Sequence, residues 1–184
     1  MGRCRRDWEG SCNIQGVMKK NLHELYHGQI KDLYNAEKQQ LEVLTGMQSA
    51  SEDEDLRNKF GQLVKSHRKH SERLRKICDT HHISPTGEKC EAMEGLVKEA
   101  RHHMAESVPG AVKDAGMIAS ANSFEHYEIA GYGVAKAFAK ALGFSDDATL
   151  LDDCIDEASD FDAEMSKIAT GGWFGSGVNE AAMA

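Results

Sequence analysis

AGMIASANSFEHYEIAGYGVAKAFAKALG, residues 115–143, carries two carboxylates where a helical pattern calls for hydrocarbon. With Ile118, Ala121, Tyr132, Ala135, Phe138 and Leu142 as the inward stripe of one helix, steps of three and four residues put Glu125 and Glu128 on the same stripe, a turn apart. An ionised carboxylate buried without a partner is strongly disfavoured, so a cation, a proton or a paired base has to meet them.

Upstream, Asn21 is placed to cap a first long helix, with Glu24 completing a capping box. Its inward stripe reads Leu22, Tyr26, Ile30, Leu33, Leu41, Leu44 and Met47, to about Ser49, and Glu37 falls within it four residues after Leu33. Ser51 and the acidic run Glu52–Asp55 open a second helix, because acidic side chains favour a helix N-terminus. Leu56, Phe60, Leu63, His67, His70, Leu74 and Ile77 form its stripe, so two histidines three residues apart occupy core positions. Residues 79–89, with Pro85 and Gly87, read as a loop before a shorter helix with Met93, Leu96, Val97, Ala100 and Met104 inward. Pro109-Gly110 breaks the chain before the 115–143 helix, so about thirty residues separate the second and third long helices, enough for a crossover along a bundle.

Downstream, Gly143 ends the third long helix and Ser145 is placed to cap a fourth, with Leu151, Cys154, Ala158, Phe161, Met165 and Ile168 inward and Glu157 and Asp160 beside them. The expected organisation is a loose arm over residues 1–17, a helical bundle over 18–170 and a Gly-rich tail over 171–184. That tail, with Trp173 and Phe174, either docks on the bundle or meets a partner.

A formal charge of -8 disfavours a nucleic-acid partner, and the basic residues from Lys65 to Lys76 read as a solvated face. The five cysteines are odd in number, scattered and without a C-x-x-C pair, which fits reduced thiols in the cytoplasm. No signal peptide or membrane span is expected, since every apolar stretch is interrupted by charge.

The inward polar set is therefore Glu37 from the first long helix, His67 and His70 from the second, Glu125 and Glu128 from the third and Glu157, with Asp160 beside it, from the fourth. Carboxylate oxygens and imidazole nitrogens at this spacing on facing helices suit iron or manganese, one ion or a pair. Each residue also has a plainer reading: Glu37 or Glu125 in an ion pair with a Lys or Arg, Glu157 and Asp160 on a solvated face, the histidines as satisfied core residues. Tyr34 and Tyr132, near the same seam, are placed either to hydrogen-bond a ligand or simply to pack.

The segments D-L-Y-N-A-E-K-Q (32–39), C-E-A-M-E-G-L-V (90–97) and E-H-Y-E-I-A-G-Y-G (125–133) resemble the YciE/YciF family, a stress-associated branch of the ferritin-like superfamily, over about residues 18–169. The resemblance implies an all-α fold: a ferritin-like antiparallel four-helix bundle with an additional shorter helix in the crossover. It also implies a homodimer and a two-metal centre; read together with the inward polar set, the expected site is di-iron or di-manganese with Glu37, His67, His70, Glu125, Glu128 and Glu157 as ligands and oxygen or peroxide as substrate. No catalytic residue is assigned. The chain departs from the family pattern at Lys65 and Ser66 on the second helix and at Ala158 on the fourth, which removes up to one carboxylate from each, while His67 and His70 offer nitrogen instead. These departures leave a second expectation of another class, a non-enzymatic dimeric interaction or structural stress protein with a degenerate metal site.

Overall fold

The structure, a computed structural model, describes residues 19–172 and 175–183. The expected arm over 1–17, with Cys4 and Cys12, and the aromatic pair Trp173 and Phe174 lie outside the described residues. Five helices make the body of the molecule: α1 (Leu22–Ala50), α2 (Glu54–Thr80), α3 (Glu91–Glu106), α4 (Ala111–Leu142) and α5 (Ser145–Thr170). Two-residue strands β1 (Gly171–Gly172) and β2 (Gly175–Ser176) pair antiparallel, and one turn of helix, α6 (Val178–Ala181), follows.

α1, α2, α4 and α5 form the antiparallel ferritin-like bundle, and α3 lies in the crossover between α2 and α4, packed on α1 and α4. The chain order fixes two ends. At one, Asp114 of α4 accepts hydrogen bonds from the backbone N–H groups of Glu52 (3.2 Å) and Asp53 (2.8 Å), tying the start of α4 to the α1–α2 turn. At the other, Asp147 of α5 accepts from the Tyr26 hydroxyl (2.7 Å) and meets His81 Nε2 (2.6 Å).

Helix boundaries follow local chemistry, with corrections to the expected caps. Asn21 caps α1 through its Oδ1 and the Glu24 N–H (2.9 Å), but the Glu24 carboxylate reaches back to the N–H of Lys20 (2.8 Å). Ser51 does not open α2. It closes α1, its hydroxyl donating to the Met47 carbonyl (2.8 Å), and the cap of α2 is Asp53, which accepts from Leu56 N–H. Gly143 ends α4 in the left-handed conformation (φ 80°), which glycine adopts without strain. Phe144, not Ser145, stands at the N-cap of α5 and supplies no capping side chain.

The apolar core is divided. Near the α1–α2 turn, Leu44, Met47, Phe60, Leu63, Ile118, Phe124 and Met165 pack together, with Val178 of the tail joining them. Toward the opposite end, Tyr26, Ile30, Leu33, Leu74, Tyr132 and Leu151 form a second cluster. Between the two, each long helix interrupts its apolar stripe: Glu37 and Gln40 on α1, His67 and His70 on α2, Glu125 and Glu128 on α4, Glu157 on α5. The apolar layers above and below bring these polar side chains to one level.

Candidate metal centre

Glu37, His67, His70, Glu125 and Glu128 are fully buried. Glu157 reaches them from the edge, with its side chain 31 % exposed. His67 Nδ1 lies 2.8 Å from Glu37 Oε2 and 3.4 Å from Glu128 Oε1, while its Nε2 lies 3.2 Å from Glu125 Oε1. His70 repeats the pattern: Nδ1 is 3.2 Å from Glu37 Oε1 and 3.6 Å from Glu128 Oε2, and Nε2 is 3.2 Å from Glu157 Oε2. One donor atom from each of Glu37, His67, His70 and Glu128 falls within 4.8 Å of every other, a spacing one metal ion can bridge.

Residues around these six hold them in place. The Tyr132 hydroxyl donates to Glu37 Oε1, and the Gln40 amide donates to Glu128 Oε1 (2.6 Å). Ser66 donates to Glu157 Oε2 (2.6 Å), and Arg73 pairs with Glu157 Oε1 through its guanidinium. Gln40 and Arg73 are site residues that the sequence pattern does not single out, and Ser66 stands out there only as a departure from the family pattern. Gln40 was findable, since it follows Glu37 by three residues on the same stripe; Arg73, three residues after His70, is hidden in a basic run. Tyr34 and Asp160 are not part of the centre: Tyr34 is half-buried beneath the Lys38 ammonium and Asp160 is exposed, off the face of α5 that buries Cys154 and Ala158.

Electrostatics follow from four carboxylates and two imidazoles in one layer. Burial works against a charged His67, but the carboxylates of Glu128 and Glu37 outweigh it and raise its pKa well above the ordinary 6.5. The same contest at His70, with Glu37 the strongest opponent of burial, takes it to about 9. Burial pushes Glu125 up to about 7, against the pull of His67. Glu128, equally buried, is held below the usual carboxylate range by the two imidazoles, and Glu157 is held down to about 2 by Arg73 and Ser66 in spite of burial.

Two carboxylate oxygens of the centre remain orphaned among the described residues, as does the amide oxygen of Gln40. Glu125 Oε2 and Glu128 Oε2 are buried and accept no hydrogen bond among the described residues. Of the two, Glu128 Oε2 lies within the four-donor cluster, 3.6 Å from His70 Nδ1, and a buried anionic oxygen beside imidazole nitrogens within bridging reach is the chemistry a divalent cation satisfies. The donor set therefore fits a metal ion. No helix among the described residues is long and apolar enough to cross a membrane.

Comparison with known proteins agrees with this architecture. The curated protein YciF of Escherichia coli (strain K12) is 30% identical over 151 residues, 82% of this chain and 91% of YciF. The crystal structure of the E. coli stress protein YciF superposes with a TM-score of 0.77, covering 81% of this chain and 94% of that one. YcfI from Rhodopseudomonas palustris superposes with a TM-score of 0.78 at 30% identity, covering 82% and 96%. Residues 21–183 match the family described as a domain of unknown function, DUF892. The chain thus belongs to the DUF892 family of YciF-like helical bundles.

Proposed function

We propose that this chain is a metal-binding stress protein, holding iron or manganese in the polar layer of the bundle and using it on oxygen or peroxide. The observation that carries the reading is the buried set Glu37, His67, His70 and Glu128, with its donor atoms within 4.8 Å of one another and with Glu128 Oε2 accepting no hydrogen bond among the described residues. The description of the E. coli relative as a stress protein supports the physiological half of it. A bound iron or manganese ion supplies one-electron redox chemistry toward oxygen species. The protein's part is to hold the donors and keep out bulk water. Tyr132 fixes one oxygen of Glu37, Gln40 fixes one oxygen of Glu128, and the apolar layers on either side exclude solvent. One ion requires only the four clustered donors; the pair that the family resemblance implies would need Glu125 and Glu157 as well. The reading takes the protein as a cytoplasmic homodimer, and sedimentation at the mass of a single chain would remove that part of it.

Elemental analysis of protein purified without chelator, and again after anaerobic exposure to Fe(II) or Mn(II), tests the proposal. Stoichiometric retention of either metal through gel filtration is the expected outcome; retention of neither would overturn it. A second reading, an interaction or structural protein with a decayed site, is favoured by one observation: both imidazoles lie within direct pairing distance of Glu37, 2.8 Å for His67 and 3.2 Å for His70. The R. palustris relative, described as a proposed structural protein, lends it support. Under that reading metal is neither retained nor stabilising.

A further inference from the structure

Both histidines of the centre use their two ring nitrogens in opposite directions. His67 turns Nδ1 to Glu37 and Glu128 and Nε2 to Glu125. His70 turns Nδ1 to the same two carboxylates and Nε2 to Glu157. Each imidazole ring therefore stands between the four-donor pocket and one further carboxylate. An ion in the pocket would take lone pairs from the two Nδ1 atoms, which leaves each Nε2 carrying its proton and donating it outward. Metal-bound histidines characteristically give that second N–H to a carboxylate, which fixes the tautomer and the ring plane.

Glu157 is anchored for this purpose. Its Oε1 accepts from the Arg73 guanidinium, and its Oε2 accepts from Ser66 while facing His70 Nε2. Arg73 is itself braced against Cys154 Sγ at 3.8 Å. A second divalent ion on Glu157 would have to displace a permanently charged guanidinium that already occupies the carboxylate, and would then lie beside it with like charge.

We propose that this bundle holds one metal ion per chain, ligated by Glu37, His67 Nδ1, His70 Nδ1 and Glu128, with Glu125 and Glu157 as positioning residues behind the two histidines. The second cation of a paired centre is replaced by Arg73, whose charge is part of the protein. The inference rests on the metal-binding reading above and narrows it to a stoichiometry and a ligand set.

Equilibrium dialysis of the full chain against Mn(II), followed by elemental analysis and protein quantitation, separates the two. One ion per chain, with the electron paramagnetic resonance sextet of an isolated Mn(II), is the expected result. Two ions per chain with an exchange-coupled spectrum would overturn this inference and leave the metal-binding reading standing; no retained ion would overturn both. Glu125→Gln and Glu157→Gln keep a side chain able to accept the histidine N–H, so each should still bind one ion, with affinity lowered by about 10- to 100-fold. Glu37→Gln and Glu128→Gln should lose the ion altogether. Should Glu125→Gln or Glu157→Gln instead abolish binding in a protein of unchanged helicity, those carboxylates are ligands and the assignment fails.

Discussion

Glu125 meets the interior with one oxygen on His67 and the other without a hydrogen-bond partner among the described residues, and burial raises its pKa to about 7. At pH 8 and without metal, the folded chain therefore carries a carboxylate that it holds less well than water does. Glu125→Gln removes the charge while keeping an oxygen for His67 Nε2–H, so the metal-free variant should be more stable at pH 8 by roughly 1–2 kcal/mol. Chemical denaturation of the two metal-free proteins checks this; a less stable variant would mean that the charge of Glu125 is needed to balance His67. At this scale the sequence was informative wherever a polar residue broke an apolar stripe, because a helix pointing hydrocarbon inward at every third or fourth residue makes Glu37, His67, His70, Glu125 and Glu128 stand out. It was silent about direction. Spacing says that two histidines face inward, but not which ring nitrogen faces which carboxylate, and it could not lift Arg73 out of a stretch where Lys65, Arg68, Lys69, Arg75 and Lys76 are all exposed. Ser66 was noticed only as a missing carboxylate, although its hydroxyl holds Glu157.

Among the elements, the long helices were legible from periodicity over many turns, whereas their junctions depend on single hydrogen bonds that several neighbouring residues could make. Ser51 and Asp53 are both good capping types two residues apart, and which of them caps α2 is settled by Asp114, sixty-odd residues downstream, whose carboxylate takes the N–H groups of Glu52 and Asp53. A tertiary contact thus decides a local boundary. The tail shows the same limit: two-residue strands and one helical turn are too short for any periodic signal, yet they seat Val178 in the core. That docking depends on Gly177. A Cβ there would stand 2.2 Å from the Gly171 nitrogen and 2.4 Å from the Ala169 carbonyl oxygen, distances only backbone movement can relieve. Gly177→Ala should therefore release the tail and expose Val178, at a cost of about 1–3 kcal/mol from lost burial and crowding. Limited proteolysis should then cut after residue 170 in the variant under conditions that spare the parent. Equal resistance in both would show that the tail adjusts around the added methyl.

For the molecule as a whole, the polar layer makes stability a function of pH, with opposite trends for the metal-free and metal-bound proteins. His70 titrates near 9 when folded against an ordinary 6.5, so its protonated form contributes stability that is complete below about pH 6.5 and is lost as the pH rises through about 9. That contribution is on the order of 3 kcal/mol. Glu125 acts in the same sense at lower pH: the fold favours its protonated form, and that advantage is lost as the pH rises from 4.5 through about 7. Glu157 has the opposite sign, since its folded value of about 2 stabilises the bundle above 4.5 and fails only as the pH falls toward 2. The metal-free midpoint of unfolding should thus be highest near pH 5 and decline steadily to pH 9. A metal ion in the pocket must take the Nδ1 atoms that protons hold at low pH, so its affinity, and the stabilisation it confers by binding only the folded chain, should grow over the same range. Calorimetric scans at pH 6 and pH 8.5, with chelator and with excess Mn(II), should show a metal-induced rise in midpoint that is small at the lower pH and several degrees larger at the higher. A metal-free midpoint that stays level from pH 6 to 9 would mean that folding does not change proton uptake by the two histidines and Glu125, and a metal-induced rise independent of pH would mean that the ion binds without displacing protons from them.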